Sequence, residues 1–376
     1  MRPAFEKGGK LSFLYSTFDA FATFAFVPNT TAKSGTHVHD AIDLKRTMTV
    51  VIIALLPALL FGMWNIGYQH SLAVGGEQAL WSLFWYGFLK MLPIIIVTYV
   101  VGLSIEFAFA QIRGHEVSEG ILVTGMLIPM IIPITIPLWM VAIATAFAVI
   151  IGKEVFGGTG MNIFNPAILA RVFIFFAYPS HMTGDKVWVA LSKGDQLIDG
   201  FSGATPLANA ATEGIAHLPS IADLFFGFIP GSTGETSKFA ILLGAIVLIY
   251  TGIGSWKIML SCVIGALGTG LLMNALALNP YMEIPAYYHL LMGGLAFGTV
   301  FMATDPVSSA QTETGKWIYG FLIGTLIILI RVFNPGYPEG MMAVLFMNAF
   351  APLIDHYVVE ANIKRRMKRV QSLKTA

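Results

Sequence analysis

Apolar residues run along this chain in long stretches broken by short polar interruptions. A bilayer core about 30 Å thick takes about 20 apolar residues per helix. The pattern predicts ten spans, near residues 47–67, 89–112, 121–136, 138–152, 165–178, 236–254, 258–278, 286–303, 316–332 and 338–357. Several are short, and Pro129, Pro133 and Pro137 interrupt the third and fourth. Broken spans are tolerated where neighbouring helices or a cavity satisfy the freed backbone groups. Ordinary kinks explain them equally well. The expected organisation is an N-terminal segment at 1–46, five spans within 47–178, a loop at 179–235, five spans within 236–357 and a basic tail at 358–376. The fold class is therefore an all-α membrane protein.

Composition agrees: 56% of the residues are hydrophobic and 11% charged, against about 25% charged in soluble domains. Lysine and arginine set the orientation. With both termini cytoplasmic, that side collects Arg2, Lys7, Lys10, Lys33, Lys45, Arg46, Arg113, Lys153, Lys257, Lys316 and the C-terminal cluster from Lys364 to Lys374. The outer side holds Lys90, Lys186, Lys193, Lys238 and Arg331. The 179–235 loop then faces outward. A net charge of +1 argues against a nucleic-acid partner. The one cysteine, Cys262, forms no intrachain disulfide and cannot alone hold an iron–sulfur cluster.

An internal repeat is visible. Asn162-Ile163-Phe164-Asn165-Pro166 has a counterpart in Asn348-Ala349-Phe350-Ala351-Pro352, five spans later, and Glu119 falls opposite Asp305 at the same offset. Five intervening spans would invert the halves in the membrane, and inverted repeats place their site at the repeat interface. Chance is the competing explanation for so few matched positions.

Three stretches carry candidate chemistry. Asp199-Gly200-Phe201-Ser202-Gly203-Ala204-Thr205-Pro206-Leu207 lies in the outward loop. Its glycines permit close backbone approach to a ligand and Thr205 offers a hydroxyl, but Gly, Ser, Asp and Pro also make plain turns. Gly157-Gly158-Thr159-Gly160-Met161-Asn162-Ile163-Phe164-Asn165-Pro166 leads into the fifth span. Its side-chain amides suit a polar ligand edge, or simply cap a helix. Third are the charges at membrane depth. Glu106, Arg171 and Asp355 lie inside spans, and Asp19, Glu119 and Asp305 at span edges or in the apolar N-terminal stretch. A charge at the bilayer centre costs about 2.5–3.5 kcal/mol on insertion scales and marks function by default. Cation handling is the reading preferred for Glu106 and Asp355. The competing reading is a structural ion pair, for example Arg171 with one carboxylate.

The Ser202-Gly203-Ala204-Thr205 motif, followed by Leu207, resembles the flavinylation motif of the Na+-translocating NADH:quinone oxidoreductases and of the related Rnf complexes. The likeness extends along the chain through Asp43-Leu44-Lys45-Arg46, Lys153-Glu154-Val155-Phe156-Gly157-Gly158-Thr159-Gly160 and Met302-Ala303-Thr304-Asp305-Pro306-Val307-Ser308. It continues through Gly315-Lys316-Trp317, through Arg331-Val332-Phe333-Asn334-Pro335-Gly336-Tyr337-Pro338-Glu339-Gly340-Met341-Met342, and through Asn362-Ile363-Lys364-Arg365-Arg366. The chain is similar to the B subunits of the Na+-translocating enzymes, and less closely to the D subunits of Rnf.

That resemblance implies FMN esterified through its phosphate to Thr205 beside Ser202 and Gly203, and non-covalent riboflavin near Asn162 and Asn165. It implies a quinone site, for ubiquinone or menaquinone, near Gly102 and Leu103. Leu103 departs from a Gly-Gly pair usual there, and Gly102 alone also reads as a packing glycine. The resemblance also implies a Na+ path through Asp19, Glu106, Asp305 and Asp355. Electrons would pass from the covalent FMN through riboflavin to quinone, coupled to Na+ translocation. The chain would work with other membrane and flavin subunits in a bacterial inner membrane.

No G-x-G-x-x-G in a strand–helix unit, no P-loop and no cysteine cluster is present. The chain is therefore expected to bind neither NADH nor ATP and to receive electrons from partners. Two rival readings remain: an Rnf-type electron-transport subunit, and a channel or solute carrier of inverted-repeat fold.

Overall fold

The computed structural model describes residues 44–76, 79–113, 120–185, 187–192, 194–199, 201–215, 218–334, 336–337 and 339–375, with residues 15, 18, 32, 34–37 and 117. Among the described residues every regular element is helical. The main helices are α1 (Leu44–Val74), α2 (Leu80–Arg113), α3 (Gly120–Ile131), α4 (Leu138–Gly152) and α5 (Pro166–Ala177). Two short helices follow, α6 (Pro206–Glu213) and α7 (Ile221–Phe226). Then come α8 (Lys238–Tyr250), α9 (Trp256–Leu276), α10 (Glu313–Phe333) and α11 (Glu339–Thr375).

Among the described residues, six helical stretches are long and apolar enough to cross a membrane: α1, α2, α4 with the turn after it, α9, α10 and α11. The chain is a multi-pass membrane protein. The helices α3, α5 and α8 are apolar but shorter. Each predicted stretch contains a helix; the third, at 121–136, is helical only to Ile131, and the eighth, at 286–303, is broken. It forms Tyr288–Leu291, Leu295–Phe297 and a π-helical turn at Gly298–Met302. The break falls at Gly293, with φ +59°, a conformation open to glycine. Arg331, buried on α10, compensates by donating to the carbonyls of His289 (2.5 Å) and Met292 (2.8 Å). Non-helical backbone at membrane depth persists only when satisfied in this way.

Close helix packing rests on small residues. Gly87 of α2 lies against the Met63 carbonyl of α1, and Gly324 of α10 against the Cys262 carbonyl of α9. A β-carbon on either would fall 1.7 Å and 2.0 Å from those oxygens.

Two boundaries differ from the sequence pattern. The last part of the expected outward loop, residues 229–235, is mostly buried, and so are Thr236 and Ser237 after it. Its Gly234 N–H donates to the Met130 carbonyl at 2.8 Å, and Asn65 of α1 donates to the Ile229 carbonyl at 3.0 Å. Pro, Gly, Ser and Thr are loop residues by propensity, but they are also small enough to thread between helices. At the other end, the basic tail is no separate segment. α11 runs on unbroken from Glu339 to Thr375, because the sequence after residue 358 holds no glycine or proline to stop it.

Candidate functional site

The Thr205 motif is built by close backbone contact. Gly203 is buried, and a β-carbon there would lie 2.2 Å from the Asp185 carbonyl. Ser202 is exposed, and its Oγ accepts from the Ala204 N–H at 3.3 Å. Thr205 is the N-cap of α6: its Oγ1 accepts from the Ala208 N–H at 3.3 Å, and Pro206 takes the first helical position. A phosphate on Thr205 would therefore sit at a helix N-terminus, where free N–H groups favour an anion.

Thr205 opens onto a cavity of about 200 Å³. Thr183, Gly184 and Asp185 form an exposed rim, and Trp188, Phe175 and Tyr337 supply aromatic wall. The floor is charged. Arg171 of α5 donates through Nη1 to Glu235 Oε1 at 2.5 Å, and its guanidinium lies 6.0 Å from the Trp188 ring. The span charge Arg171 thus has the carboxylate partner that the ion-pair reading called for. Three buried polar atoms at this cavity have no hydrogen-bond partner: Arg171 Nε, Ser232 Oγ and Thr236 Oγ1. Glu235, Ser232 and Thr236 were missed in the sequence because they read as loop. The available signal was an arginine inside a span, which demands an acid nearby.

A second cavity, of about 70 Å³, brings Asn162, Asn165 and Asp305 together with Lys153 and Thr159. Asn165 caps α5, its Oδ1 accepting from the Ala167 N–H (3.0 Å) and the Ile168 N–H (3.4 Å). Its Nδ2 donates to Asp305 Oδ2 at 3.4 Å. Asn162 donates to the Phe164 carbonyl at 3.0 Å. Asp305 also accepts from Ser308 Oγ at 2.7 Å and from the Val307 N–H at 3.2 Å. Thr159 Oγ1 is buried without a partner.

The two repeat motifs meet beside this cavity. With the Asn348 amide oriented by its neighbours, its nitrogen faces Tyr319 Oη (2.6 Å) and the Val344 carbonyl (3.1 Å). Its oxygen then accepts from the Asn165 N–H at 3.1 Å.

The remaining candidates are separate. Glu106 of α2 is buried and accepts from Lys153 Nζ, while Arg113 donates to Glu154 Oε2 (3.1 Å) and to the Glu154 carbonyl (2.7 Å). These contacts fasten the end of α2 to the turn after α4. Asp355 of α11 accepts from the Gln311 N–H (2.6 Å), the Thr312 N–H (3.0 Å) and Thr312 Oγ1 (2.5 Å), at the start of α10. Gly102 is buried against Ile121 of α3, and Leu103 is half-buried. Asp19 and Glu119 lie outside the described residues. In the 179–235 loop, Asp195 accepts from the Ser192 N–H at 2.7 Å and pairs with His70 at 3.1 Å. Those two contacts hold its carboxyl below the ordinary range.

Residues 31–364 match the family model described as the NQR2, RnfD, RnfE family. The chain belongs to that family. The resemblance read from the sequence is shown by its relatives. It is 48% identical to the B subunit of the Na(+)-translocating NADH-quinone reductase of Ectopseudomonas mendocina, over 97% of this chain and 96% of that protein. It is likewise 48% identical to the corresponding B subunit of Chromohalobacter salexigens, over 98% and 95%. For that of Pseudomonas aeruginosa the figure is 45%, over 97% and 96%. This member of the NQR2, RnfD, RnfE family therefore spans nearly the whole length of those relatives.

Proposed function

We propose that the chain is the flavin-bearing membrane subunit of a Na+-translocating NADH:quinone oxidoreductase, with FMN esterified to Thr205. The observation that carries this reading is the cavity at Thr205. It joins an anion-favouring helix start, aromatic wall and unpaired buried donors, which are the features needed to hold a phosphate and a polar-edged tricyclic ring. FMN bound there would supply one-electron chemistry that no side chain of this protein offers. Thr205 would anchor the phosphate, the Gly203 backbone would set the anchor's depth, and Arg171 with Glu235 would face the ring.

Riboflavin at Asn162 and Asn165 belongs to the same reading, and the orphaned Thr159 hydroxyl supports it. The cavity there is about 70 Å³, about a third of the roughly 200 Å³ at Thr205, and Phe301 is its one aromatic lining residue among those described, no match for the wall of Phe175, Trp188 and Tyr337. As built, the residues do not fit the ring, and no step is assigned to it. For the quinone, Gly102 and Leu103 remain the proposed neighbourhood, reached from the cytoplasmic half of α2. For Na+, Asp305 has the strongest support, since it lies half-buried at the second cavity and its carboxylate already gathers Asn165 and Ser308. Glu106, Asp355 and Asp19 complete the proposed path. Moving one charge against 100 mV takes about 2.3 kcal/mol, which matches one electron falling 100 mV.

Both cavities are lined by residues from the first five and the last five membrane segments. Together with the Asn165–Asn348 contact, this supports two inverted five-helix repeats with sites at their interface. In a bacterial inner membrane with cytoplasmic termini, the Thr205 cavity faces outward.

Thr205→Ala tests the assignment. The denatured wild-type band should fluoresce in a gel and gain the mass of FMN; the Ala variant should do neither. Covalent flavin surviving in that variant would place the ester elsewhere. A channel or solute carrier predicts a colourless protein with no added mass.

A further inference from the structure

The Arg171–Glu235 pair lies on the floor of the Thr205 cavity, and both residues are more than nine-tenths buried. Glu235 is pinned: a β-carbon on Gly294 would lie 2.8 Å from its Oε1, so the carboxylate packs directly on the Gly293–Gly294 break. Arg171 spends Nη1 on that carboxylate and leaves Nε without a partner. The hydroxyls of Ser232 and Thr236, also buried and unpartnered, line the same cavity. Leaving three donors unmatched in one low-dielectric cavity is costly unless a ligand supplies acceptors.

Resting on the flavin reading at Thr205, we infer that Arg171 is the residue that sets the reduction potential of that flavin. Its Nε, flanked by the hydroxyls of Ser232 and Thr236, would donate to the acceptor edge of the ring, and Glu235 would moderate its charge. The chemistry is simple. The oxidised ring is neutral. One electron from a one-electron donor, taken up without a proton and with no bond made or broken, adds one negative charge to that edge. A guanidinium N–H there binds the charged ring more strongly than the neutral one, and so raises the potential. The anchored carboxylate beside it opposes the effect. The two side chains therefore have opposite signs of influence, which a purely structural pair would not show.

The test uses the full-length chain carrying covalent flavin at Thr205, purified in detergent and cleared of non-covalent flavin by gel filtration. Covalent flavin content is read from in-gel fluorescence, and the midpoint potential from a spectroscopic redox titration. Arg171→Gln should disfavour the reduced ring at least tenfold, a fall of about 59 mV or more for a one-electron couple. Glu235→Gln should shift the potential upward. Where either single variant fails to accumulate, Arg171→Gln with Glu235→Gln removes both charges and should still lower the potential. Ser232→Ala with Thr236→Val leaves the ion pair intact and should lower it about threefold in the same equilibrium.

A wild-type potential in flavin-bearing double variants overturns the inference and leaves the Thr205 assignment standing. The same holds if the two single variants shift in the same direction. A wild-type chain without covalent flavin removes both.

Discussion

Removing the Glu106 carboxylate separates two roles for that side chain. Glu106 and Lys153 are each 4% exposed, and they pair across the end of α2 and the turn after α4. At that depth the pair is barely screened by water. Glu106→Gln leaves an ammonium facing a neutral amide, and breaking one half of a buried pair costs about 3–5 kcal/mol. Lys153→Met strands the carboxylate and should cost a similar amount. Changing both removes both charges, and replacing a buried pair by neutral groups is often close to neutral. The expected pattern is two unstable single variants and a double variant near wild type, a coupling of several kcal/mol between neighbours. Thermal unfolding of the detergent-solubilised complex, in preparations matched for covalent flavin, measures it. Quinone reductase activity titrated against Na+ reads the second role. If Na+ uses this carboxylate, it competes with the Lys153 ammonium, so surviving Lys153→Met should need less Na+ for half-saturation. A Glu106→Gln variant with wild-type stability and a wild-type Na+ titration would refute the reasoning on both counts.

Asp355→Asn keeps one oxygen, for the Thr312 N–H and hydroxyl, and turns an NH2 toward the Gln311 N–H, so it should cost about 1–3 kcal/mol, while a raised half-saturating Na+ concentration would place its charge on the cation path and an unchanged one would remove it. Gly87→Ala should cost several kcal/mol in thermal unfolding, because its β-carbon would meet the Met63 carbonyl at 1.7 Å, whereas Gly268, with nothing within 4 Å, should accept Ala and gain about 1 kcal/mol. A cysteine placed at the exposed Ser202 should react with an impermeant thiol reagent from the periplasmic side only, and labelling from the cytoplasm would reverse the proposed orientation.

The helices were legible because apolar run length is a strong signal, and α3, α4 and α5 begin within a residue or so of the pattern. The break at 292–294 was missed. Gly293-Gly294 stands in the sequence but was read as part of a continuous span, and the arginine that makes the break tolerable lies on α10, where pairings across the fold leave no mark on a local pattern. The Thr205 motif was found through resemblance, since its composition alone describes a turn. Its cavity was not found, because Ser232, Glu235 and Thr236 carry the propensities of an exposed loop while occupying a buried wall. Asp355 stood out as a charge in a span, but its partners are backbone N–H groups at 311 and 312, which every residue but proline possesses.

The short helices have an electrical consequence. α3 and α5 have 12 residues and α8 has 13, which at 1.5 Å per residue gives about 18–20 Å, against a hydrocarbon core of about 30 Å. In the proposed ten-span fold, the rest of each crossing falls to non-helical stretches beside these helices, such as 157–165 and 229–237. Where such stretches admit water or polarisable groups, the insulating layer is thinner than the bilayer around it. The transmembrane voltage then drops over a shorter distance, so the field in the centre of this protein is steeper than in the lipid beside it. On the proposed Na+ path, a cation crossing there would do the same total work, most of it within a few side-chain lengths.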